Sequence, residues 1–222
     1  MPNIKMLYNS AYISLVIQFM TGIIDYLGLQ INIPKEKNIY KDLLRTELGV
    51  QVVEFIFYIW MVLNFNNIKN ITPYRYFDWL ITTPIMLITL TAYLDTNNYS
   101  SLTEFLKANK KDTEKIVIAN LLMLMFGLLG ELNFLNYETA IILGFLPFFY
   151  YFKLIWKKYI YNREVSLDRK VLFYFFAIIW TLYGLAAFLP YELKNVSYNI
   201  LDLFSKNLFG LFLVWVVWKN RK

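Results

Sequence analysis

An amine and a carboxylate share one face of an apolar helix near the C-terminus. They are Lys206 and Asp202, one helical turn apart in Leu201-Asp202-Leu203-Phe204-Ser205-Lys206-Asn207. The surrounding segment, 198–218, has the roughly 20 apolar residues that a bilayer crossing takes. Lys206 is too central to reach either surface, and a cation at that depth costs at least about 2.5–3.5 kcal/mol. It must be paired, neutral or chemically modified. A structural Lys–Asp pair meets the first condition. The chemistry open to it is Schiff-base formation, because an amine out of water is nucleophilic toward an aldehyde. The protonated imine is then a buried cation that needs carboxylate counter-ions.

Three more polar sets lie in apolar surroundings. Arg75, Asp78 and Thr82 fall at i, i+3, i+7, so guanidinium, carboxylate and hydroxyl stack on one helix face. Glu47, Gln51, Glu54 and Tyr58 are spaced four, three and four. Glu54 lies well inside its segment, where an ionised carboxylate is costly, whereas Glu47 near the end reads as solvated or functional. Ser10, Ser14, Gln18, Thr21 and Asp25 form a full-length stripe that either lines a polar interior or joins helices.

The elements that position these residues follow from composition. The 222 residues are 58% hydrophobic and 19% aromatic, with mean hydropathy +0.43, which places the chain in the membrane class. With no Cys and no His, disulfides are excluded, and no metal site is expected. Seven apolar segments can be marked: 10–31, 48–68, 73–93, 116–136, 138–158, 170–190 and 198–218. The first is too long for a signal-peptide core and reads as a retained membrane helix. Of the 22 Lys and Arg, seventeen fall in the loops after the first, third and fifth segments and in the C-terminal tail. The positive-inside rule therefore sets the N-terminus outside and the C-terminus in the cytoplasm. The net charge of +6 is a topology signal, and no nucleic-acid partner is expected. The fold class is an all-α membrane protein, a seven-transmembrane-helix bundle forming a single domain over residues 1–222. Asn32 to Arg45 reads as a short connection broken by Pro34, and Pro84 permits a kink in the third helix. Glu131 and Glu138 read as solvated, and the run from Phe145 to Phe152 as core and lipid-facing surface.

Arg-Tyr-Phe-Asp-Trp-Leu-Ile-Thr-Thr-Pro in the third segment, with Asp-Leu-Phe-Ser-Lys in the seventh, resembles the microbial (type 1) rhodopsins, and the short loops look most like their viral members. The resemblance implies all-trans retinal on Lys206, with Asp78 and Asp202 as counter-ions and Arg75 and Thr82 in their network. It implies a pocket of Trp79, Thr83, Met123, Gly127, Trp180 and Tyr183. Gly184 and Ala187 stand where archaeal pumps carry a proline and a tryptophan, which implies a looser pocket on that side. Outward proton pumps of the family carry a carboxylic acid where this chain has Thr89, and a threonine cannot supply that proton, which leaves Glu54 as the donor open to a pump. Ser14, Glu54 and Asn207 are similar to the central gate of channelrhodopsins, with Ser10 and Gln18 as rivals for the first position, and Glu47 is similar to the inner gate. In that arrangement Glu54 sits across from Asn207 and bonds Asn207 and Ser14. Thr83 and Asn120 replace the usual Cys–Asp pair, which implies faster closing.

The expected function is a light-gated cation channel, with a light-driven outward proton pump as the alternative and a sensory photoreceptor third. A retinal-free transporter is the reading outside the family, and no enzymatic activity is expected. The expected partners are the lipid bilayer and transported cations (H⁺, Na⁺, K⁺ or Ca²⁺), with a homo-oligomer also open. The location is multi-pass in a membrane, that of a host cell if the source is a virus.

Overall fold

The computed structural model describes residues 2–222, with side chains described from Ile4 onward. Helix α1 spans Pro2–Leu29, α2 Asn38–Leu63, α3 Thr72–Leu94, and a short α4 Leu102–Ala108 precedes α5 Lys110–Glu131. Helix α6 runs Tyr137–Tyr159 and α7 Leu167–Ala186. The last rod consists of α8, Tyr191–Asp202, and α9, Leu208–Lys219, joined through a π-helical turn at Leu203–Asn207. Seven of these units are long and apolar enough to cross a membrane, as expected. The rod packs on α1 and α7, α1 on α2, α2 on α3, α3 on α5, α5 on α6 and α6 on α7, so the bundle closes around an interior.

That interior is inverted relative to a water-soluble protein. Phe77 is 69% exposed and Ile142 61%, whereas Arg75, Glu47, Glu54 and Asp25 are fully buried. Apolar side chains can face lipid without cost, and backbone polar groups are satisfied within each helix, so charge concentrates inside. Local signals set several ends. Asn136 accepts the Thr139 amide to start α6, Ser101 accepts the Glu104 amide to start α4, and Pro73 lies in the first turn of α3.

The helices begin earlier than the expected segments, most at α2, which begins at Asn38 where the segment was expected at residue 48, whereas α1, α2, α5 and α7 end two to five residues short of the expected bounds. The connection expected from Asn32 to Arg45 shrinks to a few residues and one 3₁₀ turn, Lys35–Lys37. Hydropathy marks the lipid-immersed part only. Lys41, Asp42 and Arg45 continue the helix into the polar region, with Arg45 paired to Asp42 at 3.0 Å. Glu131 is also corrected: it is buried against Lys194, 2.7 Å away, and accepts from the Tyr137 hydroxyl at 2.9 Å. Its partner lies 63 residues along the chain and left no local signal.

Candidate functional site

The π turn sets the site. The Leu208 amide donates to the Leu203 carbonyl five residues back, a wider loop than the α-helical one, and Lys206 sits inside it. Its Nζ donates to Asp78 Oδ2 at 2.7 Å and lies 3.4 Å from Glu54 Oε1 and 3.5 Å from Asp202 Oδ1. Asp78 comes from α3, Glu54 from α2 and Asp202 from the rod, so three elements converge on one amine. All four side chains are buried.

Asp202 is held from the other side. Its Oδ2 accepts from Tyr58 at 2.7 Å and pairs with Arg75 Nη1 at 3.4 Å, and its Oδ1 accepts from Tyr183 at 2.6 Å. Arg75 also donates through Nε to Asn195 Oδ1 at 2.9 Å and through Nη2 to Asn199. Thr82, expected in the counter-ion network, gives its hydroxyl to the Asp78 backbone carbonyl at 3.0 Å instead of the carboxylate. A helix threonine finds the carbonyl one turn back more readily than a neighbouring side chain. Counting charge, Asp78, Glu54 and Asp202 face only Lys206 and Arg75. A buried cluster tends to neutrality, so the three carboxylates hold one proton among them.

One cavity opens beside Lys206. Trp79, Thr83, Met123, Gly127, Trp180 and Tyr183, all six expected pocket residues, line it. Its walls are otherwise apolar and aromatic, with the amine at one side. A hydrophobic polyene bearing one electrophilic carbon fits such a slot, so the residues present fit retinal. Tyr76, Phe145, Phe148 and Tyr198 also line the cavity and were not singled out. Phe145 and Phe148 correct the expectation for the Phe145 to Phe152 run, of which Phe149 and Tyr150 do face outward. Gly184 and Ala187, the side expected to be looser, both line the cavity, and the expectation is corrected at Gly184 only. The Phe145 ring presses against Gly184 so closely that a Cβ there would collide with it, and the ring fills the space. A pairing between α6 and α7 cannot be read from either helix alone.

The expected gate cluster is not formed. Glu54 points to Lys206, and Asn207 donates to Thr21 Oγ1 at 2.6 Å. Ser14 gives its hydroxyl to the Asn199 carbonyl at 3.2 Å. An ammonium outbids two neutral groups for a buried carboxylate. Gln18 is buried with both amide atoms unpartnered, and so are both oxygens of Glu47, which contradicts a solvated position for that residue. Thr83 does meet Asn120, donating to Oδ1 at 2.9 Å.

A family model described as bacteriorhodopsin-like protein matches residues 8–220. A green-light absorbing proteorhodopsin from Gamma-proteobacterium EBAC31A08 is 28% identical over 162 residues. That match covers 66% of this chain and 61% of the relative, so the chain spans less than two thirds of that relative's length. Among solved structures, viral rhodopsin OLPVRII superposes with a TM-score of 0.85 at 27% identity, covering 96% of this chain and 98% of that one. A blue light-absorbing proteorhodopsin from Med12 superposes with a TM-score of 0.74 at 21% identity, covering 96% of each chain, and shares the fold. The chain therefore belongs to the microbial rhodopsins, the bacteriorhodopsin-like membrane proteins that bind retinal.

Proposed function

We propose that this rhodopsin is a light-gated cation channel with retinal carried on Lys206. One observation carries the reading: buried polar side chains form a file that runs from Asn195 to Asp25 between α1, α2, α3 and the last rod. The file starts at Asn195 and Arg75, passes Asn199, Tyr58 and Asp202, and reaches Lys206 with Asp78 and Glu54. Beyond Lys206 it continues through Asn207, Thr21 and Gln51 to Asp25. Buried polar groups are costly in a membrane unless they serve a path, and carboxylates along such a path favour cations.

Bound retinal supplies light absorption and a change of shape at the Lys206 nitrogen. The residues of the chain do the rest. Asp78 holds the proton of that nitrogen at Oδ2, and Glu54 and Asp202 balance its charge. Arg75, fixed by Asn195 and Asn199, closes the file on the N-terminal side of Asp202. Movement of the nitrogen away from Asp78 releases the contacts that keep α2, α3 and the rod together. The apolar cavity walls keep water from the polyene side of the nitrogen.

Voltage-clamp recording under illumination tests the reading. A photocurrent that reverses sign with voltage is expected, and Lys206→Ala should give neither visible absorbance nor current. A current that stays outward at every voltage would replace the channel by a pump.

A further inference from the structure

Past Lys206, toward the C-terminus of the rod, lies a second pair of buried carboxyl groups, Asp25 on α1 and Glu47 on α2. Both are fully buried, and among the described residues neither pairs with a Lys or Arg. Gln51, one turn after Glu47, ties the two helices together: its Nε2 donates to Asp25 Oδ2, and its Oε1 accepts from Thr21 at 3.0 Å. The rod is shaped around this contact. A Cβ at Gly210 would collide with both Asp25 Oδ2 and Gln51 Nε2, so only glycine lets the pair rest on the α9 backbone.

The charges bearing on Glu47 are Asp25 from α1 and Lys206 from the rod. Glu54, two turns along α2, lies 3.4 Å from Lys206 Nζ as an ion pair, with neither oxygen hydrogen-bonded. Helix α3 has no Asp, Glu, Lys or Arg between Asp78 and Asp95. Lys206 is already matched by Asp78, Glu54 and Asp202, which leaves no cation to balance two further dry carboxylates, so the pair holds at least one proton. A separate feature points to a ligand. Asn207 donates into the cluster through Thr21, yet its own Oδ1 has no partner and the residue is 2% exposed. Asp25 Oδ1 and both Glu47 oxygens are likewise unpartnered. Four oxygens with lone pairs to spare, on three elements, suit a small cation.

We propose that Asp25 and Glu47, joined through Gln51, form a cation site that a proton occupies in the closed protein and a monovalent cation occupies in the open one. When the rod moves, the proton leaves for the solution at that end of the bundle, and the freed carboxylates take up Na⁺ or K⁺ in its place, with no net change of charge. The proton-holding half depends only on the fold. The cation half rests on the channel reading.

Two measurements on the retinal-loaded protein test it. Infrared spectra of the unilluminated protein should show, beside the band of the Asp78, Glu54 and Asp202 cluster, a protonated-carboxyl carbonyl stretch that shifts in Asp25→Asn and in Glu47→Gln and is lost when the two are combined. An unshifted band in either single variant, or its survival in the double, would overturn the shared proton. Reversal potentials in Na⁺ solutions of different pH should show the Na⁺-to-H⁺ permeability ratio changed by about threefold or more in each variant. Wild-type ratios in both, with normal pigment, would overturn the cation site while leaving the channel reading intact. A wild-type current that never reverses would overturn both the channel reading and the cation half, and the infrared band would still decide the proton half. Gly210→Ala displaces the same pair without changing charge and should shift the ratio too. It keeps the test decisive if a carboxyl variant yields no pigment.

Discussion

Three carboxylates around one amine give a sharp expectation for Asp78→Asn. At an effective dielectric of about 20, unit charges at these separations attract by about 5–6 kcal/mol each. If Asp78, at 2.7 Å, were the sole counter-ion, its loss would lower the proton affinity of the Lys206 nitrogen by about four decades. The charge count predicts much less. Without Asp78, Glu54 and Asp202 match Lys206 and Arg75 with no extra proton, and both carboxylates still lie within 3.5 Å of the nitrogen. The single variant should therefore keep a visible absorption band at neutral pH, shifted in wavelength. Asp78→Asn combined with Glu54→Gln leaves Asp202 alone, already engaged by Arg75, Tyr58 and Tyr183. That double variant should absorb mainly in the near ultraviolet at neutral pH. The assay is a spectrophotometric titration of wild type, both singles and the double, read as a double-mutant cycle with a large non-additive part. If Asp78→Asn alone bleaches the visible band as fully as the double, Glu54 is no counter-ion and the count is wrong.

Two further outcomes follow from the packing. Lys194→Met strands Glu131 in a buried position and should cost about 3–5 kcal/mol, seen as a lower thermal bleaching temperature. Adding Glu131→Gln should restore most of that loss. Gly184→Val drives a branched side chain into the Phe145 ring and should cost about 1–3 kcal/mol of fit, seen as a lower ratio of visible to ultraviolet absorbance. Phe145→Ala in the same chain should relieve it.

What the sequence disclosed was what repeats along a helix. A lysine four residues after an aspartate, or an arginine three before one, places both groups on one face, and the lipid setting makes each such face informative. The polar faces of the first, second, third and seventh spans were legible for this reason; the spans themselves followed from hydropathy, and the pocket residues of α3, α5 and α7 from the resemblance of the third- and seventh-segment motifs to the microbial rhodopsins. Pairings between distant helices were not. Glu54 offered a carboxylate in the right layer, but only the bundle shows that it turns to Lys206 and away from Asn207 and Ser14. Phe145 against Gly184 and Lys194 against Glu131 escaped notice for the same reason. Asp25 was visible as the last member of a stripe, but its contact with Gln51 and the glycine beneath them needed three helices in place.

The π turn at Leu203–Asn207 has a mechanical consequence. Each residue of an α-helix advances the chain by about 100° of rotation, so a turn holding one surplus residue stores that much twist in a movable defect. If the defect slides by one position, the residue it passes swings around the axis, one flanking helix gains a residue and the other loses one, and the rod as a whole keeps its length. The rod therefore behaves less as a stiff lever than as a shaft with a coupling in it. Torque applied at Lys206 can spin Asn207 and Gly210 against α1 and α2 without dragging Asp202 off Arg75 and Tyr58. The ends of one membrane-spanning rod are thereby free to answer the same push at different times.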